Sequence, residues 1–352
     1  MEGVIRGVAM DTIQFQKRKV MNIRPRRNRK SAAVRNMVQE TRLSVDNLVF
    51  PLFLEDGQHI KTAIPSLPGI FRFSLDQLLL EIESCVELGI HSFILFPKIK
   101  DELKDATGTY GINPDNYYLQ AARTIKKQFP QITLMSDVAL DPYNIHGHDG
   151  IVKDGKILND ETITVLTQMS VLQAEAGFDY LGPSDMMDGR VEAIRQALDE
   201  NHYTDTGIIS YTAKYASAFY GPFRDALDSS PVDIKDIPKD KKTYQMNPSN
   251  RKEALLEGEL DFAEGADILM VKPALNYLDI ISDLKQHFPL PIAAYHVSGE
   301  CAMLMAACQN GWLDYKTAMP ETLNCIHRAG ADIILTYFAK DFAKMQRGLS
   351  IG

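Results

Sequence analysis

Eight short apolar runs, each four to seven residues long, constrain the fold of this chain more than any other feature of its sequence. Runs of this length between turn residues are typical of buried β-strands, because a core helix needs a longer apolar pattern. Most of the gaps between the runs carry the signals of a helix. The runs cover residues 48–52, 92–96, 132–138, 179–182, 207–211, 267–272, 292–297 and 332–337.

A near-repeat at four junctions supports the alternation of helices and strands. At each junction a glycine (Gly89, Gly177, Gly265 or Gly330) precedes an apolar run by two or three residues, as expected where a helix ends in a left-handed glycine. Eight alternating units over about 290 residues predict an α/β protein with a single (β/α)8 TIM barrel at residues 46–352. An open doubly wound sheet is the alternative, but no Gly-x-Gly-x-x-Gly follows a strand to indicate a dinucleotide site.

Short-range signals predict how some elements begin. Ser74 followed by Gln77 is typical of a capping box at the start of a helix, and Ser298 is expected to cap a later helix. Asp154-Gly155 lies between two short apolar runs within residues 151–158. It predicts a small hairpin inserted in a loop of the barrel.

The first 45 residues differ in composition from the rest and are predicted to form an extended amino-terminal arm. Residues 24–30 form a basic cluster, which can bind nucleic acid or contact the acidic surface of a neighbouring subunit. The net charge of −8 and the pI near 5.5 favour the subunit contact and argue against nucleic acid or an anionic membrane as a partner. Residues 1–20 mix basic and apolar positions, so an organelle-targeting remnant is the alternative interpretation there.

The cysteines and the apolar runs indicate the compartment. Cys85, Cys301, Cys308 and Cys325 include no closely spaced pair, so neither a zinc motif nor a disulfide framework is expected. This pattern fits a reducing, cytoplasmic compartment, with a plastid or other organelle lumen as the alternative. No apolar run approaches the ~20 residues that span a bilayer, and we expect no membrane partner.

Two lysines follow neighbouring predicted strands at their carboxyl ends, where a barrel of this class carries its reactive groups. Lys214 lies just beyond the fifth run, and Lys272 ends the sixth. Two ammonium groups in one partly dry pocket lower each other's pKa, and desolvation acts in the same direction. Because a neutral amine attacks a ketone to form a Schiff base, we predict that Lys272 and Lys214 are catalytic. For either lysine alone, a salt-bridged or solvent-exposed loop residue is the alternative.

The exit of the third strand, residues 137–150, is rich in polar side chains. It holds the carboxylates of Asp137, Asp141 and Asp149 and the imidazoles of His146 and His148. These groups can coordinate an oxygen-preferring cation such as Mg²⁺ or act as acids and bases. A polar turn is the alternative, and the absence of cysteine argues against a zinc site.

Two segments after Lys214 are candidates for substrate binding. Residues 217–226 place aromatic side chains and Arg224 over the predicted barrel mouth, where a guanidinium can bind a carboxylate with two hydrogen bonds. Lys241 and Gln245 follow a loop rich in Asp, Lys and Pro that is typical of a mobile lid. An ion pair between Arg224 and Asp225 and a solvated loop are the respective alternatives.

From residue 24 to the carboxyl terminus, these segments resemble the porphobilinogen synthase (5-aminolevulinate dehydratase) family. The most specific matches are segments 182–190 (Gly-Pro-Ser-Asp-Met-Met-Asp-Gly-Arg), 214–226, 270–273 (Met-Val-Lys-Pro) and 295–300 (Tyr-His-Val-Ser-Gly-Glu). Members of the family fold as (β/α)8 barrels whose amino-terminal arms wrap a neighbour, usually in a homo-octamer. The resemblance implies a lyase that condenses two molecules of 5-aminolevulinate into porphobilinogen, with loss of two waters, in tetrapyrrole (heme and chlorophyll) biosynthesis.

The resemblance also implies a role for each candidate residue. Lys272 would form a Schiff base with the substrate that becomes the propionate side of the product, and Lys214 with the other substrate. Ser298 and Tyr337 would hold the carboxylate of the first substrate. The remaining implied binding residues are Arg224, Lys241 and Gln245 for the second carboxylate, with Tyr295, Phe223, Asp137 and Ser184 around the same mouth.

The family has a zinc-dependent branch with three cysteines at the third strand exit, where this chain has Ala139, Asp141 and Asp149. The chain therefore resembles the aspartate-rich branch, which implies an allosteric, activating Mg²⁺ outside the active site at Glu257. From the sequence alone, a solvated charge on a helix is the alternative for Glu257. Asp141 and Asp149 are further candidate metal ligands, and catalytic Zn²⁺ is not expected. The alternatives for the whole chain are another Schiff-base barrel, such as a class I aldolase, and a non-catalytic assembly or nucleic-acid-binding protein that uses the basic arm.

Overall fold

Each of the eight apolar runs contains or overlaps a β-strand in the computed structural model, which describes residues 23–232 and 234–351. Four further short strands form two hairpins. The strands are β1 (Leu48–Glu55), β2 (Lys61–Ala63), β3 (Phe71–Phe73), β4 (Ser92–Lys98), β5 (Thr133–Met135), β6 (Ile151–Lys153), β7 (Lys156–Leu158), β8 (Tyr180–Leu181), β9 (Gly207–Lys214), β10 (Ile268–Lys272), β11 (Ile292–His296) and β12 (Ile333–Thr336).

Eight of these strands close into a barrel in the order β1, β4, β5, β8, β9, β10, β11 and β12. The last strand pairs with β1, and all pairings around the ring are parallel. Every residue of β10 is buried, because barrel strands face side chains on the inside and helices on the outside. The predicted (β/α)8 barrel is confirmed, and its parallel strands bring all their carboxyl ends to one mouth.

Contacts along the chain define two compact units, with the division between Arg42 and Leu43. In the first unit, Pro25–Arg29 forms a 3-10 helix and Ala32–Met37 forms helix α1. The basic side chains of residues 24–30 are exposed. Residues 1–20, where an organelle-targeting remnant is the alternative interpretation, lie outside the described part of the chain.

Glycines end the helices at the four repeated junctions, as the near-repeat predicts. Gly89, Gly177, Gly265 and Gly330 have φ values between +89° and +128°, a region that other residues adopt only with strain. The helices of the second unit are α2 (Leu75–Glu87), α3 (Tyr117–Gln128), α4 (Asn159–Glu175), α5 (Arg190–Glu200), α6 (Gly221–Leu227), α7 (Lys252–Ala263), α8 (Leu278–His287), α9 (Ser298–Gln309), α10 (Tyr315–Ala329) and α11 (Ala339–Gln346). None of the described helices is both long and apolar enough to cross a membrane.

The sequence predicts one of the two hairpins but not the other. The one formed by β6 and β7 confirms the prediction from Asp154-Gly155, since both turn residues have positive φ. The hairpin of β2 and β3 was not predicted, and it changes the start of α2. The Ser74 hydroxyl accepts the N–H of Ile60, just before β2, and donates to Asp76. It makes no hydrogen bond to the free N–H groups at the start of α2, so the prediction of a capping box at Ser74 is wrong.

Candidate active site

Two buried lysines lie side by side at the barrel mouth. Lys214 ends β9 and Lys272 ends β10, and the two residues are register partners in the parallel ladder. Their side chains point into the same pocket, with 5% and 6% of each residue exposed. The predicted position of both lysines, on adjacent strand ends at one level, is therefore what the structure shows.

Aromatic rings surround the Lys272 amine. Its Nζ lies 4.6 Å from the ring centre of Tyr295, 5.0 Å from those of Tyr211 and Phe223, and 5.3 Å from that of Tyr220. Burial, with the nearby Lys214 charge as a second cause, lowers the pKa of Lys272 to about 7. Rings can stabilise a cation through their faces but offer no oxygen acceptor there, so the free amine is present near neutral pH.

Lys214 has a polar environment instead. Its Nζ donates to the Ser184 carbonyl oxygen and lies 3.2 Å from Asp149 Oδ1. Lys241 lies 2.8 Å from the other oxygen of the same carboxylate and 3.4 Å from Asp141. Burial would raise the pKa of Asp149, but the two ammonium groups outweigh burial and hold that pKa well below its ordinary value. One buried carboxylate, that of Asp149, therefore lies within ion-pair distance of both lysines, and Asp141 supplies a second negative charge beside Lys241.

Asp137 is the candidate for a general acid or base in this pocket. It is buried on the loop after β5 and lines the pocket of the two lysines. Burial first, and the Asp141 charge second, raise the pKa of Asp137 to about 7, while the Ser184 hydroxyl and the lysines oppose this shift. A carboxyl group with such a pKa can both take and return a proton near neutral pH.

A loop segment that includes Lys241 and Gln245 covers this pocket. Tyr244 anchors it: the phenol oxygen lies 2.8 Å from Asp149 Oδ2 and 3.0 Å from His148 Nδ1. His148 Nε2 lies 2.7 Å from the Pro238 carbonyl oxygen. The segment predicted as a lid is thus attached to the third strand exit at two points, and Gln245 and Lys241 both line the pocket beneath it.

Arg224 and Phe223 reach the pocket from α6, the short helix after β9. Both line it, and Arg224 is half-buried beside Lys241. The alternative of an ion pair between Arg224 and Asp225 is not seen among the described residues. Two cationic side chains therefore face the pocket on the side of Lys214.

Ser298 and Tyr337 contact the aromatic residues that surround Lys272. The Ser298 hydroxyl accepts the Phe223 N–H at 3.0 Å, so the prediction that this hydroxyl caps α9 is wrong. The phenol oxygens of Tyr337 and Tyr295 are 3.2 Å apart. The structure thus places the hydroxyl groups of Ser298, Tyr295 and Tyr337 next to the aromatic rings around Lys272.

Glu300 is a functional candidate that the sequence analysis did not single out. Its buried carboxylate accepts the N–H groups of Val297 at 2.8 Å and Leu275 at 2.7 Å. It therefore links the loop after Lys272 to the start of α9, where Ser298 lies. The signal in the sequence was its place in the first turn of that helix, where an acidic side chain can reach back to free backbone N–H groups.

Glu257 lies apart from the lysines. It is half-buried on α7 and lines a second cavity together with Asp188 and Glu253. Burial raises the pKa of Glu257 to about 7. Tyr244 and Gln245 also line this second cavity, so the covering loop of the active site forms a wall of both spaces.

Fold and site together define the class of protein. A (β/α)8 barrel with two buried lysine amines at adjacent strand ends, one of them surrounded by aromatic rings, has the architecture of an enzyme that forms Schiff bases with carbonyl substrates. The sequence model of the family described as delta-aminolevulinic acid dehydratase matches residues 22–345. The chain belongs to the delta-aminolevulinic acid dehydratase family, which confirms the resemblance inferred from its motifs.

Individual relatives agree with this assignment. The delta-aminolevulinic acid dehydratase of Chlamydia pneumoniae is 54% identical over 316 residues, 90% of this chain and 94% of the relative. The chloroplastic enzyme of Selaginella martensii is 54% identical over 323 residues, 91% of this chain and 76% of the relative. A crystal structure of delta-aminolevulinic acid dehydratase (porphobilinogen synthase) from Toxoplasma gondii ME49, in complex with the reaction product porphobilinogen, is similar with a TM-score of 0.90 at 48% identity, covering 94% of this chain and 96% of that one.

Proposed function

We propose that this chain is a lyase that condenses two molecules of 5-aminolevulinate into porphobilinogen, with loss of two waters, in tetrapyrrole biosynthesis. The observation that carries the proposal is the pairing of two lysines in register, Lys272 among aromatic rings and Lys214 among carboxylates. Each amine can hold one keto substrate, so two substrates meet above adjacent strands. A class I aldolase needs one such lysine, so the second amine favours the condensation.

In the proposed mechanism the neutral Lys272 amine attacks the ketone carbon of one substrate. The carbon–oxygen bond then breaks, water leaves, and an imine remains that withdraws electrons from the adjacent carbon. Asp137 is placed to accept the proton from that carbon, since it lines the same pocket and its pKa is raised to about 7. The resulting carbon nucleophile attacks the second substrate, which Lys214 holds.

The two substrate carboxylates are assigned to the two sides of the pocket. Arg224 and Lys241, with Gln245, supply cations and an amide on the Lys214 side. Ser298 and Tyr337 supply hydroxyl groups on the Lys272 side. Cations would therefore bind one substrate carboxylate and hydroxyl groups the other. Because a guanidinium or ammonium binds a carboxylate more strongly than a hydroxyl does, this difference supports separate roles for the two substrate positions.

An assay of the purified protein with 5-aminolevulinate tests the function. We expect porphobilinogen to accumulate at one molecule for every two substrates consumed. Cleavage or condensation of sugar phosphates without porphobilinogen would support the aldolase alternative. Salt-sensitive DNA binding without turnover would support the non-catalytic alternative.

The rate of covalent capture should depend on pH through Lys272. Below a pKa of about 7 the protonated fraction grows, so the single-turnover rate of borohydride trapping should fall about tenfold per pH unit and should level off above pH 7. Mass spectrometry of the reduced adduct across about pH 5.5 to 8.5 measures this rate. A rate that still rises towards an ordinary lysine pKa of about 10.4 would show that the amine is not desolvated as proposed.

We further propose that an activating Mg²⁺ binds at Glu257. Mg²⁺ commonly uses one or two carboxylates and keeps several waters, and Glu257 shares its cavity with Asp188 and Glu253. Within the described residues, no group of three or more His, Cys, Asp or Glu side chains is arranged to hold a metal ion. These residues therefore suit a hydrated Mg²⁺ ion bound by one carboxylate. The positive charge of the ion would offset the negative charges around that cavity.

Replacing Glu257 with glutamine should abolish activation by Mg²⁺. The amide keeps the shape of the side chain but removes the charge that binds the cation, so the variant should show the activity of EDTA-treated wild type at any Mg²⁺ concentration. Glu259→Gln is the matched control, because Glu259 is exposed on the same helix. Equal stimulation of both variants would place the activating cation elsewhere.

Asp141 and Asp149 stay candidate metal ligands in this proposal, and catalytic Zn²⁺ is not part of it. A cation at these two carboxylates would have to displace Lys241, which is within 3.4 Å of both. Aspartate oxygens without cysteine suit Mg²⁺ better than Zn²⁺. Activity after EDTA treatment, measured with Mg²⁺ or Zn²⁺ added back, tests both sites, and restoration by Zn²⁺ alone would contradict the aspartate-rich assignment.

We also propose a homo-octamer built from arm-wrapped dimers, working in the cytoplasm or, as the alternative, in a plastid or other organelle lumen. The exposed basic residues 24–30 support a role of the arm in assembly. The matched relatives include one from a bacterium and one named chloroplastic. Native mass spectrometry should give a species of eight times the 39.5 kDa chain mass; a monomer at working concentration would contradict the assembly.

A further inference from the structure

Tyr211 carries a buried hydroxyl group that has no hydrogen-bond partner among the described residues. The residue is fully buried on β9. Leaving a buried polar group unpaired costs about 1–3 kcal/mol of stability, so a phenylalanine would suit the folded state better at this position. The unpaired hydroxyl is therefore unexplained by folding and points to a partner that arrives only with substrate.

Neighbouring tyrosines of the barrel show the contrast. The hydroxyl of Tyr118 donates to the Leu95 carbonyl oxygen at 2.9 Å, and that of Tyr220 donates to the Tyr215 carbonyl oxygen at 2.7 Å. Both groups have a permanent acceptor. Tyr211, in the same buried region, does not have one.

The ring of Tyr211 lies close to both lysine amines. Its centre is 5.0 Å from Lys272 Nζ and 5.8 Å from Lys214 Nζ. Packing fixes the ring, since a Cβ on Gly182 would come within 3.2 Å of the Tyr211 ring. Asp137, which lines the pocket of the two lysines, is the charged group that acts most strongly on the phenol after burial itself.

We propose that Tyr211 is a further catalytic residue, whose hydroxyl donates a hydrogen bond to the substrate oxygen that leaves as water when the ketone condenses with Lys272. The inference rests on the proposed function. Lys272 is the better-placed partner of the two amines, because its Nζ is closer to the ring and Lys214 Nζ is already bonded to Ser184 and Asp149.

The chemistry needs a donor at this place. Attack of the amine puts negative charge on the ketone oxygen, and after a proton moves from nitrogen to that oxygen the group is a carbinolamine. The carbon–oxygen bond then breaks, the oxygen takes a second proton from the Asp137 carboxyl group, and the nitrogen lone pair forms the C=N bond. Tyr211 keeps its own proton throughout, since burial raises the pKa of the phenol well above its ordinary value; it stabilises charge on the oxygen as an oxyanion donor does.

Tyr211→Phe separates this role from a structural one. We expect the variant to melt at the same or a higher temperature than wild type, because an unpaired polar group is removed. Its kcat and its single-turnover rate of borohydride trapping at Lys272 should both fall by roughly 10²-fold, the usual effect of removing one donor to a developing oxyanion. KM should change little, because the carboxylate contacts are intact.

Tyr215→Phe is the matched control. The Tyr215 hydroxyl donates to the Asn250 carbonyl oxygen at 3.0 Å, so its loss should lower the melting temperature and leave kcat nearly unchanged, the reverse of the Tyr211 result. Unchanged trapping and kcat in Tyr211→Phe would overturn the inference, and so would a clear loss of stability, which would show that the hydroxyl has a partner in the folded protein. Failure of wild type to form porphobilinogen would instead reject the proposed function, which this comparison does not test.

Discussion

Lys272→Ala is expected to abolish porphobilinogen formation and the borohydride-trapped adduct at residue 272 together, with a loss of roughly 10⁴-fold or more, as for removal of other covalent nucleophiles. The amine is the nucleophile that the rings of Tyr211, Tyr220, Phe223 and Tyr295 surround. An alanine leaves rings and a small cavity there, and neither can form an imine. Product formation and the mass of the reduced adduct on residue 272 measure the two effects.

Lys214→Ala is the matched variant for this experiment, since it removes the register partner of Lys272 from the adjacent strand. It should also lose product formation, because one substrate is no longer held. It should, however, still trap one substrate on Lys272 with borohydride. Full trapping in Lys272→Ala together with lost trapping in Lys214→Ala would contradict the assignment of the two amines.

Asp149→Asn is expected to lower both stability and activity strongly. The Asp149 carboxylate lies 3.2 Å from Lys214 and 2.8 Å from Lys241, and it accepts the Tyr244 hydroxyl at 2.8 Å. Removing one partner of a buried ion pair leaves an uncompensated charge and destabilises a protein by about 3–5 kcal/mol. Here two ammonium groups would remain close together, and the covering loop would lose the anchor at Tyr244.

Denaturant unfolding and turnover, both measured with EDTA present, test this expectation without interference from a metal ion. Asp115→Asn is a suitable control, because Asp115 is exposed and surface substitutions usually change stability by less than about 0.5 kcal/mol. Equal unfolding midpoints for the two variants would show that Asp149 is not the charge that balances the lysines.

The barrel and the position of its two lysines could be predicted because they depend on short-range patterns. Apolar runs of strand length, with glycine at the helix ends, specify alternating elements. Parallel strands then place every carboxyl end on one side. Lys214 lies three residues beyond the fifth run and Lys272 ends the sixth run. Once the runs were identified as strands, the position of both lysines at the barrel mouth followed.

Other features depended on contacts between distant segments. Ser74 and Ser298 both stand where a helix cap is expected, but Ser74 bonds to the β2–β3 region and Ser298 to the N–H of Phe223. A serine at the expected start of a helix indicates only which hydrogen bonds its side chain can form with neighbouring residues. It carries no information about a competing partner from elsewhere in the chain.

The different surroundings of the two lysines were likewise decided in three dimensions. Nothing near either lysine in the sequence distinguishes them. The rings around Lys272 come from three different segments, and the carboxylates around Lys214 and Lys241 come from the loop after β5. The same convergence places the ring of Tyr211 5.0 Å from the Lys272 amine.

The sequence by itself therefore determined the family, the barrel and the two amines at its mouth, because each of these follows from residue types at short spacing. Only the tertiary structure decided which amine lies among aromatic rings, which carboxylate contacts two lysines, and that Glu257 lies in a separate cavity behind the covering loop. The physical reason is that a pKa and a charge balance depend on which groups lie within a few ångströms in space. Those groups are supplied by strands and loops up to a hundred residues apart, as with Lys241 and Asp141.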